Sequence, residues 1–309
     1  MATTGYIPTV RRLRKAIGRD QFRLVYQPKA DMKTGSIVGV EALARWHHPR
    51  GTITPSEFVP IAERRDSTIQ ALTDWTLVAA FEQAGAWERE GHDLSIAVNL
   101  SPKSALDPSL PEKISALFER YDVSPARIQL ELTETAVFNV AAPGRVSEAL
   151  GQLAEMGIVI ALDDFGTGYS SLSRLRDLPI HKVKIDQSFV SHMDQRPHDA
   201  LIVRSVIALA KSLHLRVVAE GVESETVWRR LSDLGCDVAQ GHYLSRPLPA
   251  DELVCWVNQW EELYAEAHRM ADELLERRLG PSNRRAGPDD RRSTDNGHFR
   301  FVPGDLTNS

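Results

Sequence analysis

Seven times in this chain a short apolar run ends on a carboxylate or an amide. The run at 37–40 leads to Glu41, 94–98 to Asn99, 128–130 to Glu131 and 158–162 to the pair Asp163 and Asp164. The run at 183–185 leads to Asp186, 215–219 to Glu220 and 238–239 to Gln240. Runs of this length, rich in β-branched residues, read as buried strands. If such strands lie parallel and close into a barrel, their C-terminal ends share one mouth, where the fold gathers its chemistry. Residues far apart in sequence then form one ring of oxygen donors. That ring suits hard divalent cations such as Mg²⁺ or Mn²⁺. Taken singly, each residue has a plainer account: Glu41 a surface ion pair, Asn99 an Asx turn or helix cap, Asp163 and Asp164 turn acids. Taken together, so many polar groups in one mouth repel one another unless a cation joins them.

The elements that must position these residues follow from spacing. Asn99, Glu131 and Asp163 succeed one another at steps of 32 residues, and one strand–helix unit of a barrel takes roughly 30. Apolar periodicity with Pro, Gly or polar starts predicts helices over 55–64, 68–90, 111–120, 143–156, 199–213 and 225–234. A first strand at 22–26 ends at Gln27 and Pro28, and Lys33-Thr34-Gly35-Ser36 is turn chemistry. That link is too short for a helical crossover, so the first two strands are expected as an antiparallel hairpin. The fold read from the sequence is α/β: a (β/α)₈ TIM-like barrel with an antiparallel first strand, over residues 21–260.

Residues 1–20 form a lead-in with a basic helical piece near 11–15. Beyond Pro249 a long helix runs to about Leu279, with Leu253, Trp256, Trp260, Leu263, Ala267, Met270 and Leu274 at helical spacing. Its first part is expected to pack on the barrel. The extension over 261–280 either lengthens that packing or pairs with another chain. Residues 281–309 hold few large apolar groups and are expected to be disordered. His47-His48-Pro49 lacks metal-ligand spacing and reads as a turn, and Trp75, Trp87, Trp256 and Trp260 read as packing.

Composition narrows the function. A chain of 309 residues, 42% apolar and 26% charged, has room for one large barrel. A formal net charge of −5 argues against a duplex nucleic-acid partner. No apolar stretch approaches a membrane span, and residues 1–10 lack the apolar core of a signal peptide. Cys236 and Cys255 have no paired metal spacing. A cytoplasmic protein with reduced thiols is expected.

The motifs, in order, carry a resemblance. Tyr26-Gln27-Pro28 precedes Glu41-Ala42-Leu43-Ala44-Arg45-Trp46, then Asn99-Leu100-Ser101 and Glu131-Leu132-Thr133-Glu134. Asp163-Asp164-Phe165-Gly166-Thr167-Gly168-Tyr169-Ser170-Ser171-Leu172, Lys184-Ile185-Asp186, Glu220-Gly221-Val222-Glu223 and Gln240-Gly241 follow. Over about residues 11–260 the chain resembles the EAL-domain cyclic di-GMP phosphodiesterases. The resemblance implies hydrolysis of cyclic di-GMP to the linear dinucleotide pGpG with two divalent cations, Mg²⁺ or Mn²⁺; Ca²⁺, larger and looser in its geometry, is expected to be inhibitory. It places Glu41, Asn99, Glu131 and Asp163 on one cation, and Asp163, Asp164, Asp186 and Glu220 on the second or its waters. Lys184 becomes a fixed positive charge near phosphate and attacking water, and Gln240 orients a ligand or water. The group that takes the water's proton is left open among Asp186, Lys184 and Glu220. Glu134 is expected to anchor the loop that starts at Phe165. Gln27, Leu43 and Arg45 are expected to line the substrate pocket. A homodimer and a regulatory protein partner are further expectations, with no role at a membrane.

Three departures stand out: Ala44 where the family usually has Leu, Arg64-Arg65-Asp66-Ser67-Thr68 in place of a small Gly-containing turn, and His242-Tyr243 in reversed order. None touches an expected ligand. Two other functions are set against the enzyme. A catalytically weak cyclic di-GMP-binding signalling module would have lost ligands, and every ligand position here is filled. An unrelated metal-dependent barrel, aldolase or enolase-like, explains the acids but not the ordered motifs.

Overall fold

The computed structural model describes residues 8–134, 137, 143–168, 175–176 and 178–279. The expected tail at 281–309 and the motif residues 169–172 lie outside them. By compactness the chain divides into two units, residues 1–250 and 251–309.

Among the described residues the first unit holds β1 (Phe22–Asp31), β2 (Ile37–His48), β3 (Gly51–Ile53), β4 (Ile96–Asn99), β5 (Ile128–Thr133), β6 (Val159–Phe165), β7 (Lys182–Ile185), β8 (Arg216–Ala219) and β9 (Val238–Gln240). Their order is β1-β9-β8-β7-β6-β5-β4-β2-β3, and β1 also pairs with β2. Eight strands therefore close into a barrel, and β3 is an added edge. From β4 to β9 each strand pairs parallel with the next, whereas β1 is antiparallel to both β2 and β9. The short turn at 33–36 explains why: no helix fits between β1 and β2. The helices are α1 (Val10–Ile17), α2 (Pro55–Ala62), α3 (Asp66–Arg89), α4 (Pro102–Ala105), α5 (Leu110–Tyr121), α6 (Pro143–Glu155), α7 (Gln187–Val190), α8 (Pro197–Ser212) and α9 (Glu225–Asp233). A helix falls at each span expected from periodicity.

The first two strands are longer than expected. β1 does not stop at Gln27 and Pro28 but runs on to Asp31. Proline survives inside it because no donor is needed there. Tyr26 donates outward to the Leu248 carbonyl at 2.7 Å, and the ladder with β9 starts only at Lys29. The Pro28 nitrogen falls in the gap. β2 likewise continues past Glu41 to His48, so His47 and His48 end a strand, and the turn is Pro49-Arg50 before β3. The open end of this hairpin carries an apolar cluster of Leu13, Phe22, Trp46, Ile53, Phe58, Ile69 and Leu72. Phe22 stacks on Trp46 with centroids 5.8 Å apart and meets Phe58 edge-on at 5.3 Å. Burying each such side chain contributes about 1.5–3 kcal/mol, which ties the far end of the hairpin to α1, α2 and α3.

From residue 251 the second unit holds the rest of α10 (Ala250–Leu279), on which Trp256 stacks on Trp260 and Trp260 on Tyr264. No helix among the described residues is long and apolar enough to cross a membrane.

Candidate active site

Strand side chains alternate between faces, and the register brings the inward ones to a common level. Asn99 lies beside Glu131, and Gln27 beside Glu41. Glu41, Glu131, Asp163, Lys184 and Gln240 are all buried. The Asn99 amide donates to Glu41 Oε1 at 2.6 Å, and Gln240 Nε2 donates to Glu41 Oε2 at 2.7 Å and to Gln27 Oε1 at 3.1 Å. Gln240 Oε1 is buried with no partner among the described residues. Gly241 fixes this amide's backbone. A Cβ there would stand 2.1–2.6 Å from the Val222 backbone, so only glycine lets the chain pass.

Two neighbouring acids cannot both face inward along a regular strand. Here they do, because β6 breaks its pleat. The β6–β7 register shifts between Leu162 and Phe165, and Asp164 adopts φ +55°. Aspartate tolerates that region better than most residues. Asp163 Oδ1 accepts the Asp164 N–H at 2.9 Å and steadies the kink. As a result Asp163, Asp164 and Glu220 offer oxygens within 4.8 Å of one another. Asp186 caps α7 through Ser188 N–H at 3.0 Å and stands beside Asp164.

Lys184 occupies the middle, wholly buried. Its ammonium donates to Glu131 Oε2 at 2.6 Å and Asp163 Oδ2 at 3.0 Å. It also pairs with Glu220 Oε1 at 2.6 Å and approaches Glu41 Oε2 to 3.5 Å. One cation shared by four carboxylates leaves the charges unequal. Burial pushes Glu41 up, yet Lys184, Lys29 and the two amides outweigh it and hold the carboxyl down at about 2. Burial wins at Asp163, which rises to about 6, and at Glu220, which rises to about 8 with repulsion from Asp163 and Glu41. Asp164 is raised by burial and by Asp186. The excess of carboxylate, all of it oxygen, fits hard divalent cations. So does the buried Gln240 oxygen, which has no donor among the described residues and would accept one from a water held by such an ion.

Glu134 sits outside this ring. Its Oε2 accepts the Gly166 N–H at 3.1 Å, so it grips the loop after β6. A Cβ on Gly168 would come within 2.6 Å of Glu134 Oε1, so a side chain there would push the carboxylate out of that grip. Gln27 is half-buried and donates to the Ser245 carbonyl at 3.3 Å. Leu43 is half-buried on β2. Arg45 donates to the Ala44 carbonyl at 3.0 Å, and burial lowers its guanidinium against the pull of Glu41. One residue was missed. Lys29 is buried and bonds the second oxygen of Glu131. Alternation from Gln27 places Lys29 on the inward face, but nothing in the spacing points to its partner on β5.

The sequence description of the EAL domain matches residues 10–247. Two curated relatives come from Pseudomonas aeruginosa. The bifunctional diguanylate cyclase/cyclic di-GMP phosphodiesterase MucR is 42% identical over 79% of this chain, and the cyclic di-GMP phosphodiesterase RocR is 37% identical over 79%. The matched stretch spans only 36% of MucR and 62% of RocR. A solved structure of the PaMucR phosphodiesterase in complex with c-di-GMP is 41% identical, covers 79% of this chain and 98% of its own, and superposes with a TM-score of 0.75. By its motifs, its barrel with a reversed first strand, and this match over most of its length, the chain belongs to the EAL-domain family.

Proposed function

We propose that the chain hydrolyses one phosphodiester of cyclic di-GMP to give pGpG, with two divalent cations as cofactors. The observation that carries this is the complete set of donors, Glu41, Asn99, Glu131, Asp163, Asp164, Asp186 and Glu220, borne by six motifs of one family. Glu41, Asn99, Glu131 and Asp163 would hold one cation, and Asp163, Asp164, Asp186 and Glu220 the second or its waters. Bound there, such ions neutralise a phosphate and make water a stronger nucleophile. The chain supplies the rest. Lys184 offers a fixed positive charge at the centre of the ring, where developing negative charge is stabilised without reorganisation. Asp186, Lys184 and Glu220 are the groups able to move the water's proton. Gln27, Leu43 and Arg45 lie on the hairpin above the mouth and would receive the guanine and phosphate groups. The resemblance also supports a homodimer, the reduced thiols a cytoplasmic setting, and regulation would come from oligomerisation, a protein partner or substrate supply. Purified protein incubated with cyclic di-GMP and Mg²⁺ or Mn²⁺, with products separated by anion-exchange chromatography, tests the reading. Accumulation of pGpG is expected. Binding without cleavage would instead favour a signalling module.

Two further results are expected. In saturating Ca²⁺ the protein should bind cyclic di-GMP yet turn over far more slowly than in Mg²⁺, because the larger ion accepts looser geometry and cannot clamp the phosphate in line. Equal kcat in the two ions contradicts the clamp. Glu134→Ala should raise the Mg²⁺ concentration for half-maximal rate by about 10–100-fold, because the loop that follows Asp164 loses its grip. Gly168→Ala should do the same from the other side. Extra metal should recover part of the rate in both, but none in Asp164→Ala. A titration in which all three variants respond alike removes Glu134 from this role.

A further inference from the structure

Lys29 is 5% exposed, inside a barrel, and lies far in sequence from the carboxylate it meets. It leaves β1 on the inward face, opposite Gly39 on β2 and Gln240 on β9. Its ammonium reaches Glu131 Oε1 on β5, beyond β2 and β4. The side chain therefore crosses the barrel interior. By alternation from Glu41, Asn99 and Asp163, the inward residues one level below the mouth are Gly39, Ala97 and Ala161. Small barrels are normally filled by branched aliphatic side chains. Here small residues on three strands leave room for long straight stems: Lys29 shares this level with Gln129 and Lys182, whose ammonium donates to Gln129 Oε1 at 2.9 Å rather than to a carboxylate.

We infer that Lys29 is a positioning residue for Glu131, a resident counter-charge that holds this carboxylate in place and lets the acidic mouth fold before any cation binds. This deepens the proposed function and rests on its cation site. Glu131 is 1% exposed, and its other oxygen bonds Lys184. Lys184, however, is shared with Asp163, Glu220 and Glu41. Among the described residues Lys29 bonds no other carboxylate, so its charge serves Glu131 first. A buried carboxylate stripped of its partner is strongly unfavourable. When cations occupy the mouth, their charge compensates the same carboxylates. The contribution of Lys29 is therefore greatest in metal-free protein. An ordinary structural ion pair would count equally with and without metal.

The test is thermal unfolding of Lys29→Met, which keeps an unbranched apolar stem, beside the parent, in chelator and in saturating Mn²⁺. In chelator the variant should melt lower by about 10 °C, and in Mn²⁺ the gap should shrink to less than half. Lys29→Arg should recover part of the metal-free loss. An equal drop in both conditions, or no drop in either, overturns the inference. A parent whose melting temperature Mn²⁺ does not raise overturns the cation site, and this inference with it. If Lys29→Met yields no folded protein without metal, Lys29→Met with Glu131→Gln should fold there, since no charge is then left unpaired. A double variant no better than the single one also overturns the inference.

Discussion

Glu41→Ala is expected to cut cyclic di-GMP hydrolysis by about a thousandfold or more while leaving the barrel folded. Glu41 is where the two amides of the site converge, from Asn99 and Gln240. It is also the carboxyl held lowest, at about 2, so it is the charge most firmly present when a cation approaches. Removing it deletes a proposed ligand and frees both amides to turn away. Packing suffers little, because Glu41 points into the mouth rather than into the aliphatic layer behind β2. Repulsion even falls, since Glu41 is one of the groups that push Asp163 and Glu220 up. The metal-free melting temperature should therefore stay within a few degrees of the parent, a case of function held at the expense of stability. Steady-state kinetics, melting curves and Mn²⁺ calorimetry on one preparation check all three points. Near-normal turnover with metal still bound would take Glu41 out of the site.

The parts of this molecule written in local periodicity were legible in the sequence. Apolar runs located β4 to β9, and the short turn at 33–36 required β1 to run backwards. What period alone could not show was where a strand departs from its own rule. Pro28 reads as a strand end, yet a proline is silent wherever no donor is required, and β1 passes through it. Asp163 and Asp164 read as two ligands, though alternation forbids both from facing inward. The kink at Asp164 that reconciles them is a property of the β6–β7 register. Lys184 flanked by Val183 and Ile185 could have faced either way, and only closure of the barrel buries it completely. Lys29 was hidden for a different reason. Its partner stands on β5, three strands round the barrel, and a pairing across the interior leaves no trace in sequence spacing.

The other large effect is expected at the centre of the ring. Lys184→Met should lower the stability of metal-free protein by about 3–5 kcal/mol, the usual result of deleting one member of a buried charge network. For a barrel of this size that is a fall of about 10 °C or more. Asp163 and Glu220 would then lose their strongest downward pull, and Glu41 its strongest as well. The pH dependence follows from the sign of these shifts. A carboxyl whose folded value lies above its unfolded one stabilises the fold while protonated, in acid, and loses that contribution as pH rises. Glu220 is raised from 4.5 to about 8, so metal-free parent should already lose stability across that interval. Lys184→Met should lose it more steeply. Saturating Mn²⁺ should flatten both profiles, because divalent charge replaces the missing ammonium as partner to the carboxylates. Activity should not return with stability, since the positive charge at the site of the phosphate is gone. A loss of about a hundredfold or more in kcat should persist at full metal occupancy. Melting curves from pH 5 to pH 8.5, with and without Mn²⁺, give the first half of the answer, and turnover at saturating metal gives the second. A variant as active as the parent once loaded would show that Lys184 serves only to hold the empty mouth together.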